Sequence, residues 1–266
     1  MQSKPFAWQS FRWLLGLLLF ATALTVRAQE RAPASFGTGF VVSDQGHVVT
    51  AYHVIRDRSQ VLVGPFARNR WVVAQVVHAD PQQDLALLKA RLTLPPLPIA
   101  DWREVPIGIE AIVIGYPQPG LLGLSKKITQ GIVNGDRRSP TDIGYFQLSA
   151  EVQKGNSGGP VLGPDGTVIG VVQKKLDALS VAEKTRDLPQ NVNYALKSAV
   201  LKTFLDAAGL DVPLRSPDLS AAPRAYEVFR RAEASIVAIV GRTAPVDAAI
   251  VPTATPGEVR VTPALE

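Results

Sequence analysis

Ser157 lies in the run Gly155-Asn156-Ser157-Gly158-Gly159-Pro160, a hydroxyl carried on a glycine-rich turn. Such a turn leaves the side chain accessible. It also lets the backbone N–H groups of Gly155 and Ser157 converge on one spot, so that Gly155, Asn156 and Ser157 together form a candidate oxyanion hole for a developing carbonyl anion. Alone, the run is a flexible loop containing a serine. Two upstream segments supply what a nucleophile needs: Thr50-Ala51-Tyr52-His53-Val54 places an imidazole at the end of an apolar run, and Asp84-Leu85-Ala86-Leu87-Leu88 places a carboxylate at the mouth of another. The expected chemistry is nucleophilic acyl transfer. His53 takes the proton of Ser157 and returns it to the leaving amine, while Asp84 holds the imidazole tautomer and supports its charged form.

The order His, Asp, Ser narrows the fold. Gly155-x-Ser157-x-Gly159 also fits the nucleophile elbow of α/β-hydrolases, but that site needs a histidine after the serine, and the three histidines, His47, His53 and His78, all precede it. A strand-turn-helix elbow is also disfavoured by Pro160 and by the strand-like run Val168 to Val172. Asp80 competes with Asp84 for the carboxylate role; Asp84 is preferred because the apolar run begins directly after it. His47 follows the turn Asp44-Gln45-Gly46 and His78 precedes Asp80-Pro81, positions that read as surface sites.

Short β-branched runs separated by turn residues must position these groups: Phe40 to Val42, Val48 to Ala51, Val61 to Val63, Trp71 to Val77, Leu85 to Leu88, Ala111 to Ile114, Ile128 to Val133, Phe146 to Ser149, Val168 to Val172 and Val192 to Ala195. This is the pattern of an all-β barrel or sandwich. The proline-rich stretch Leu94 to Pro106 reads as a connection between two halves, the first bringing His53 and Asp84 and the second Ser157. Val200, Leu201, Phe204, Leu205 and Ala208 share one face of a helix that Gly209 and Pro213 stop.

Residues 1–28 read as an export signal: basic Lys4 and Arg12, an apolar stretch of about 12 residues, then small residues around Ala28. That stretch is well short of the roughly 20 residues of a membrane-spanning helix, so membrane contact is expected only through an uncleaved leader. The chain has no cysteine, which excludes disulfides and a lipid-modified cysteine. An exported chain that folds by packing alone points to a bacterial periplasm or exterior. Removing the three leader cations Lys4, Arg12 and Arg27 takes the formal charge from +5 to +2, which is no nucleic-acid signature.

With Gly37-Thr38-Gly39-Phe40, Thr50-Ala51-Tyr52-His53, Asp84-Leu85-Ala86-Leu87-Leu88, Gly115-Tyr116-Pro117, Thr129-Gln130-Gly131-Ile132-Val133 and the Ser157 run in consistent order, the chain resembles the trypsin-like serine peptidases of the bacterial HtrA-type branch. The resemblance implies two six-stranded antiparallel β-barrels of chymotrypsin-like form over residues 33–209, a C-terminal helix, hydrolysis of peptide bonds in a protein or peptide substrate, and no metal or organic cofactor. It also aligns Glu151 with the bottom of the primary pocket, where a carboxylate favours Lys or Arg, although the loop can equally turn Glu151 outward, and it sets Gln173, Lys174 and Lys175 beside an extended substrate backbone.

Departures from the family are informative. The chain beyond Gly209 is too short for the peptide-binding PDZ domain that HtrA-type proteins usually carry. Asn156 stands where pancreatic-type relatives have an aspartate. The helix and strand that relatives carry before the Gly37 segment are missing, whereas residues 225–240, AYEVFRRAEASIVAIV, have that character. After a linker over 210–224 they are expected to fold back, or cross to a second molecule, and complete the N-terminal barrel, since an open edge strand is a liability. A short α/β extension is thus expected after the second barrel, followed over 241–266 by a tail expected to be disordered. The competing function is a catalytically silent module of the same fold that binds extended peptides as a chaperone or assembly partner. Oligomeric state is not legible.

Overall fold

The computed structural model describes residues 34–66, 70–173, 192–221 and 224–243. The proposed leader, Lys174, Lys175 and the tail from residue 244 lie outside these residues. The elements run β1 (Ser35–Val41), β2 (His47–Ala51), α1 (Tyr52–Ile55), β3 (Gln60–Phe66), β4 (Arg70–Asp80), β5 (Leu85–Ala90), β6 (Ile99–Ala100), β7 (Glu110–Gly115) and α2 (Pro119–Leu122). They continue with β8 (Lys127–Gly135), β9 (Tyr145–Leu148), β10 (Pro160–Leu162), β11 (Val168–Val172), β12 (Asn193–Lys197), α3 (Ser198–Ala207), β13 (Leu214–Arg215), α4 (Ala225–Ala232) and β14 (Ile236–Arg242).

Two antiparallel barrels result, an all-β form that the short β-branched runs allow and the pair that the resemblance implies. The first closes in the order β1-β14-β3-β4-β5-β2. The second closes as β10-β7-β8-β9-β12-β11, with β10 returning to β11, and carries β6 and β13 as a short parallel annex on β11. Side chains alternate along each strand as the pleat requires. Val48, Val61, Val63, Ala86, Leu88, Val237 and Ile239 fill the first barrel, and Val113, Val133, Phe146, Leu148, Val161 and Ile169 fill the second. The opposite faces, including Phe40, Val49, Leu85, Leu87, Ile112, Ile114 and Leu162, join α3 and α4 in a third cluster between the barrels.

The C-terminal strand β14 lies between β1 and β3, antiparallel to both, with Ala238 opposite Thr38 on one side and Gly64 on the other. Without it β1 and β3 would each present a row of unpaired backbone groups. Its residues Ile236, Val237, Ala238 and Ile239 are all 3% exposed or less. The segment folds back within the same chain.

Three strands are absent from the sequence reading. Two of them, β6 and β13, are two residues long, and β10 is three. None is long enough to show a period of two. Pro160 is tolerated in β10 because it occupies the first position of the strand. The proline-rich connection is also more than a link: Leu94, Leu97, Ile99 and Ala100 are buried along it.

Candidate active site

The first half of the site is assembled by one turn. Asp84 follows β4 and immediately precedes β5, with a left-handed backbone at φ 54°. That conformation suits a short polar residue at a tight reversal. From there Asp84 grips the start of α1 three ways. Its main-chain carbonyl accepts the Tyr52 N–H at 3.0 Å, its Oδ1 accepts the His53 N–H at 2.8 Å, and its Oδ2 lies 2.7 Å from His53 Nδ1. A carboxylate oxygen only accepts, so in the neutral ring this contact places the proton on Nδ1 and leaves the Nε2 lone pair free to accept one. Asp80 has other work: its Oδ1 accepts the N–H groups of Gln82 and Gln83 and caps the turn. His47 pairs with Ser43 Oγ at 2.7 Å, and burial, then the charge of Lys89, lowers its pKa. His78 packs its ring against Phe204 at 5.1 Å. Neither lies in the Asp84 turn.

The second half is the loop before β10. Gly158, at φ 81°, rests so closely on the Ala51 N–H and the Thr38 carbonyl that a β-carbon there would collide with both. This contact brings the serine loop against the last residue of β2, two positions before His53. The loop is pinned along its length: Asn156 N–H donates to Gln153 O at 3.0 Å, Gly159 N–H to Asn156 O at 2.9 Å, and Gly158 N–H to Val172 O at 2.8 Å. The N–H groups of Gly155 and Ser157 donate to no partner among the described residues. Ser157 is half-buried, and among the described residues its hydroxyl makes no hydrogen bond, with His53 or with any other group. Catalytic contacts of this kind commonly tighten only when substrate is bound.

Thr38 is the residue that motif reading passes over. It is fully buried in β1 and holds the serine loop on both sides of the Ser157 side chain. Its N–H donates to Ser157 O at 3.0 Å and its hydroxyl donates to Gly155 O at 2.6 Å. The same hydroxyl accepts the Tyr116 N–H at 3.0 Å, and the Thr38 carbonyl accepts from Thr50 Oγ1 at 2.8 Å. A buried threonine between Gly37 and Gly39 was the available signal. We expect Thr38→Val to cost about 2 kcal/mol of stability, because two buried backbone groups lose their partner. Turnover should fall about 10-fold or more as the loop shifts. Thermal melting and steady-state kinetics check this, with Thr38→Ser retaining both.

The residues expected to meet substrate divide differently. Gln173 turns inward and is only 4% exposed. Its N–H donates to Tyr194 O at 3.3 Å, because β11 and β12 continue their pairing past Val172. Its side-chain amide lies 3.5 Å from the carbonyls of Gln83 and Asp84, behind the carboxylate turn. Glu151 is exposed, and its carbonyl accepts from Thr129 Oγ1 at 2.7 Å. Asn156 is buried with its Oδ1 unpartnered among the described residues, against Gly115.

Comparison with known proteins fits this geometry. The model of the trypsin-like peptidase domain matches residues 37–171. An uncharacterized protein of Sinorhizobium fredii is 40% identical over 191 residues, 71% of this chain and 30% of that protein. A probable periplasmic serine endoprotease, DegP-like, of Chlamydia muridarum is 37% identical over 150 residues, 54% of this chain and 29% of its own length. The crystal structure of the serine endoprotease from Yersinia pestis aligns with a TM-score of 0.54 at 28% identity, covering 70% of this chain and 59% of that one. The chain therefore spans about 30% of the length of these two curated relatives. A match that runs from Gly37 in β1 into β11, taking in His53, Asp84 and Ser157 on the way, makes the chain a member of the trypsin-like peptidase family.

Proposed function

We propose that this chain is an exported serine endopeptidase that cleaves peptide bonds through His53, Asp84 and Ser157. The observation that carries the reading is the two-point grip of the Asp84 carboxylate on His53, with the Ser157 loop docked two residues away. Ser157 Oγ attacks the scissile carbonyl while His53 Nε2 accepts its proton. The tetrahedral oxyanion takes hydrogen bonds from the N–H groups of Gly155 and Ser157, each of the kind that is worth about 10²- to 10³-fold in rate. Collapse expels the amine, protonated by His53, and leaves an acyl ester on Ser157. Water, activated by the same imidazole, then releases the acid.

Export rests on the leader-like residues 1–28 and on the printed description of the Chlamydia relative as periplasmic. The substrate is a protein or peptide, as for the endoproteases it resembles. Incubation of the purified chain with an unfolded protein and with a peptide library tests the activity. The expected result is cleavage that Ser157→Ala reduces by roughly 10⁴-fold or more. Cleavage that survives this substitution would refute the assignment, and binding without cleavage would favour the peptide-binding module.

A further inference from the structure

The C-terminal segment reaches the serine loop by a second route besides the pairing of β14 with β1, and this route depends on one lysine. The connection from β7 to β8 covers residues 116–126. At its start it lies directly on the serine loop: a β-carbon on Gly155 would strike Tyr116 O, and the Gln118 N–H donates to Lys154 O at 2.7 Å. At its end stands Lys126, part-buried, whose ammonium donates to the main-chain carbonyl of Glu233. Glu233 opens the short 3-10 turn Glu233–Ser235 that joins α4 to β14.

The middle of this connection has little to hold it. None of the residues of α2 is buried, and Leu121, Leu122 and Leu124 are 78%, 43% and 45% exposed. Gln118 sits in the left-handed region at φ 42°, a conformation that a non-glycine residue keeps only when its surroundings enforce it. The connection is therefore set by its two ends.

What its start controls is specific. The Lys154 carbonyl and the Gly155 N–H belong to the same planar peptide unit and point in opposite directions. By accepting from Gln118 N–H, Lys154 O fixes where the Gly155 N–H points, and that N–H is one of the two donors assigned to the oxyanion. Loosened at Lys126, the connection would be held only at its start, where the Tyr116 N–H donates to Thr38 Oγ1, and Gln118, two residues on, would be free to slip and let the peptide rotate its donor out of place.

We propose that Lys126 is a positioning residue that ties the oxyanion donor Gly155 to the seated C-terminal segment, so that the chain holds a formed oxyanion hole only when residues 233–242 are docked. This rests on the serine-peptidase reading. The closure of the first barrel and the readiness of the site then become one event. A chain whose β14 has not yet paired would lack both, which restrains proteolysis until the first barrel is closed.

The test uses the full chain with Lys126→Met, which keeps the apolar stem and removes the donor, and Lys126→Arg, which keeps a donor. Lys126→Met should lower kcat by about 10²-fold, the scale of one oxyanion donor, with KM and melting temperature nearly unchanged, and Lys126→Arg should recover most of it. Amide hydrogen exchange in a Ser157→Ala background provides a readout independent of turnover: Lys126→Met should speed exchange at residues 116–126 and 153–157 and leave β3, β4 and β5 protected. Wild-type kcat in Lys126→Met, a loss that merely follows a fall in melting temperature, or failure of the arginine to rescue would overturn the proposal. A wild-type chain without Ser157-dependent turnover would refute the peptidase reading, and the exchange comparison would then decide the Lys126 tie by itself: unchanged exchange removes it.

Discussion

Asp84→Asn is expected to leave the fold standing and to cut turnover by roughly 10⁴-fold, the scale of a misassigned histidine tautomer in this kind of site. The asparagine can keep its carbonyl oxygen where Oδ1 now accepts the His53 N–H, and its backbone can keep the left-handed φ of 54°. Its NH₂ group then occupies the place of Oδ2, 2.7 Å from Nδ1. Two donors cannot face each other, so the ring proton moves to Nε2 and the lone pair proposed to take the Ser157 proton is lost. Kinetics and thermal melting of the variant check this together: turnover collapses and the melting temperature stays within a few degrees. An Asp84→Asn protein that retains more than a tenth of wild-type kcat would show that the carboxylate does not set the tautomer.

Deleting residues 225–243 has the largest expected effect on stability. The strand they contain buries Ile236, Val237, Ile239 and Val240 at 7% exposure or less. A fully buried aliphatic side chain of this size contributes about 1.5–3 kcal/mol, so four of them approach the 5–15 kcal/mol that a domain typically has in total. The loss also leaves the edges of β1 and β3 open, and it removes Val228 and Ala232 of α4 from the cluster between the barrels. The shortened chain should show no cooperative melting transition and should aggregate through the exposed edges. A milder probe is Ile239→Asp, which buries a charge inside the first barrel. A soluble deletion variant with an unchanged melting temperature would mean that β14 contributes nothing to the barrel it closes.

Much of this architecture was legible because barrel strands advertise themselves. The runs at residues 48–51, 85–88, 111–114 and 168–172 are β-branched or aliphatic, and each falls within a strand of the structure. Strands of two or three residues, such as β6 and β13, carry no period and exist only because neighbours offer free backbone groups. Residues 225–240 stood out because a helix-like run and an apolar strand-like run stand there, where the family resemblance places such a pair before Gly37, and the structure puts that strand between β1 and β3. Side chains at the site divide along similar lines. His53, Asp84 and Ser157 have types whose chemistry is recognisable in isolation. Thr38, Lys126 and Gln173 have roles defined by partners 117, 107 and 89 positions away, in the order named, and the glycines flanking Thr38 are the one local mark among them. Gln173 is reached from both sides: its N–H continues the pairing of β11 with β12 at Tyr194, and its side chain lies behind the Asp84 turn.

The central claim is that folding makes one hydroxyl nucleophilic. A fluorophosphonate probe applied to the native full-length chain, followed by mass-spectrometric mapping, tests it most directly. The account predicts a single adduct on Ser157 that is absent from unfolded protein and from His53→Ala. No adduct on native protein, or one that forms equally well without His53, would contradict it.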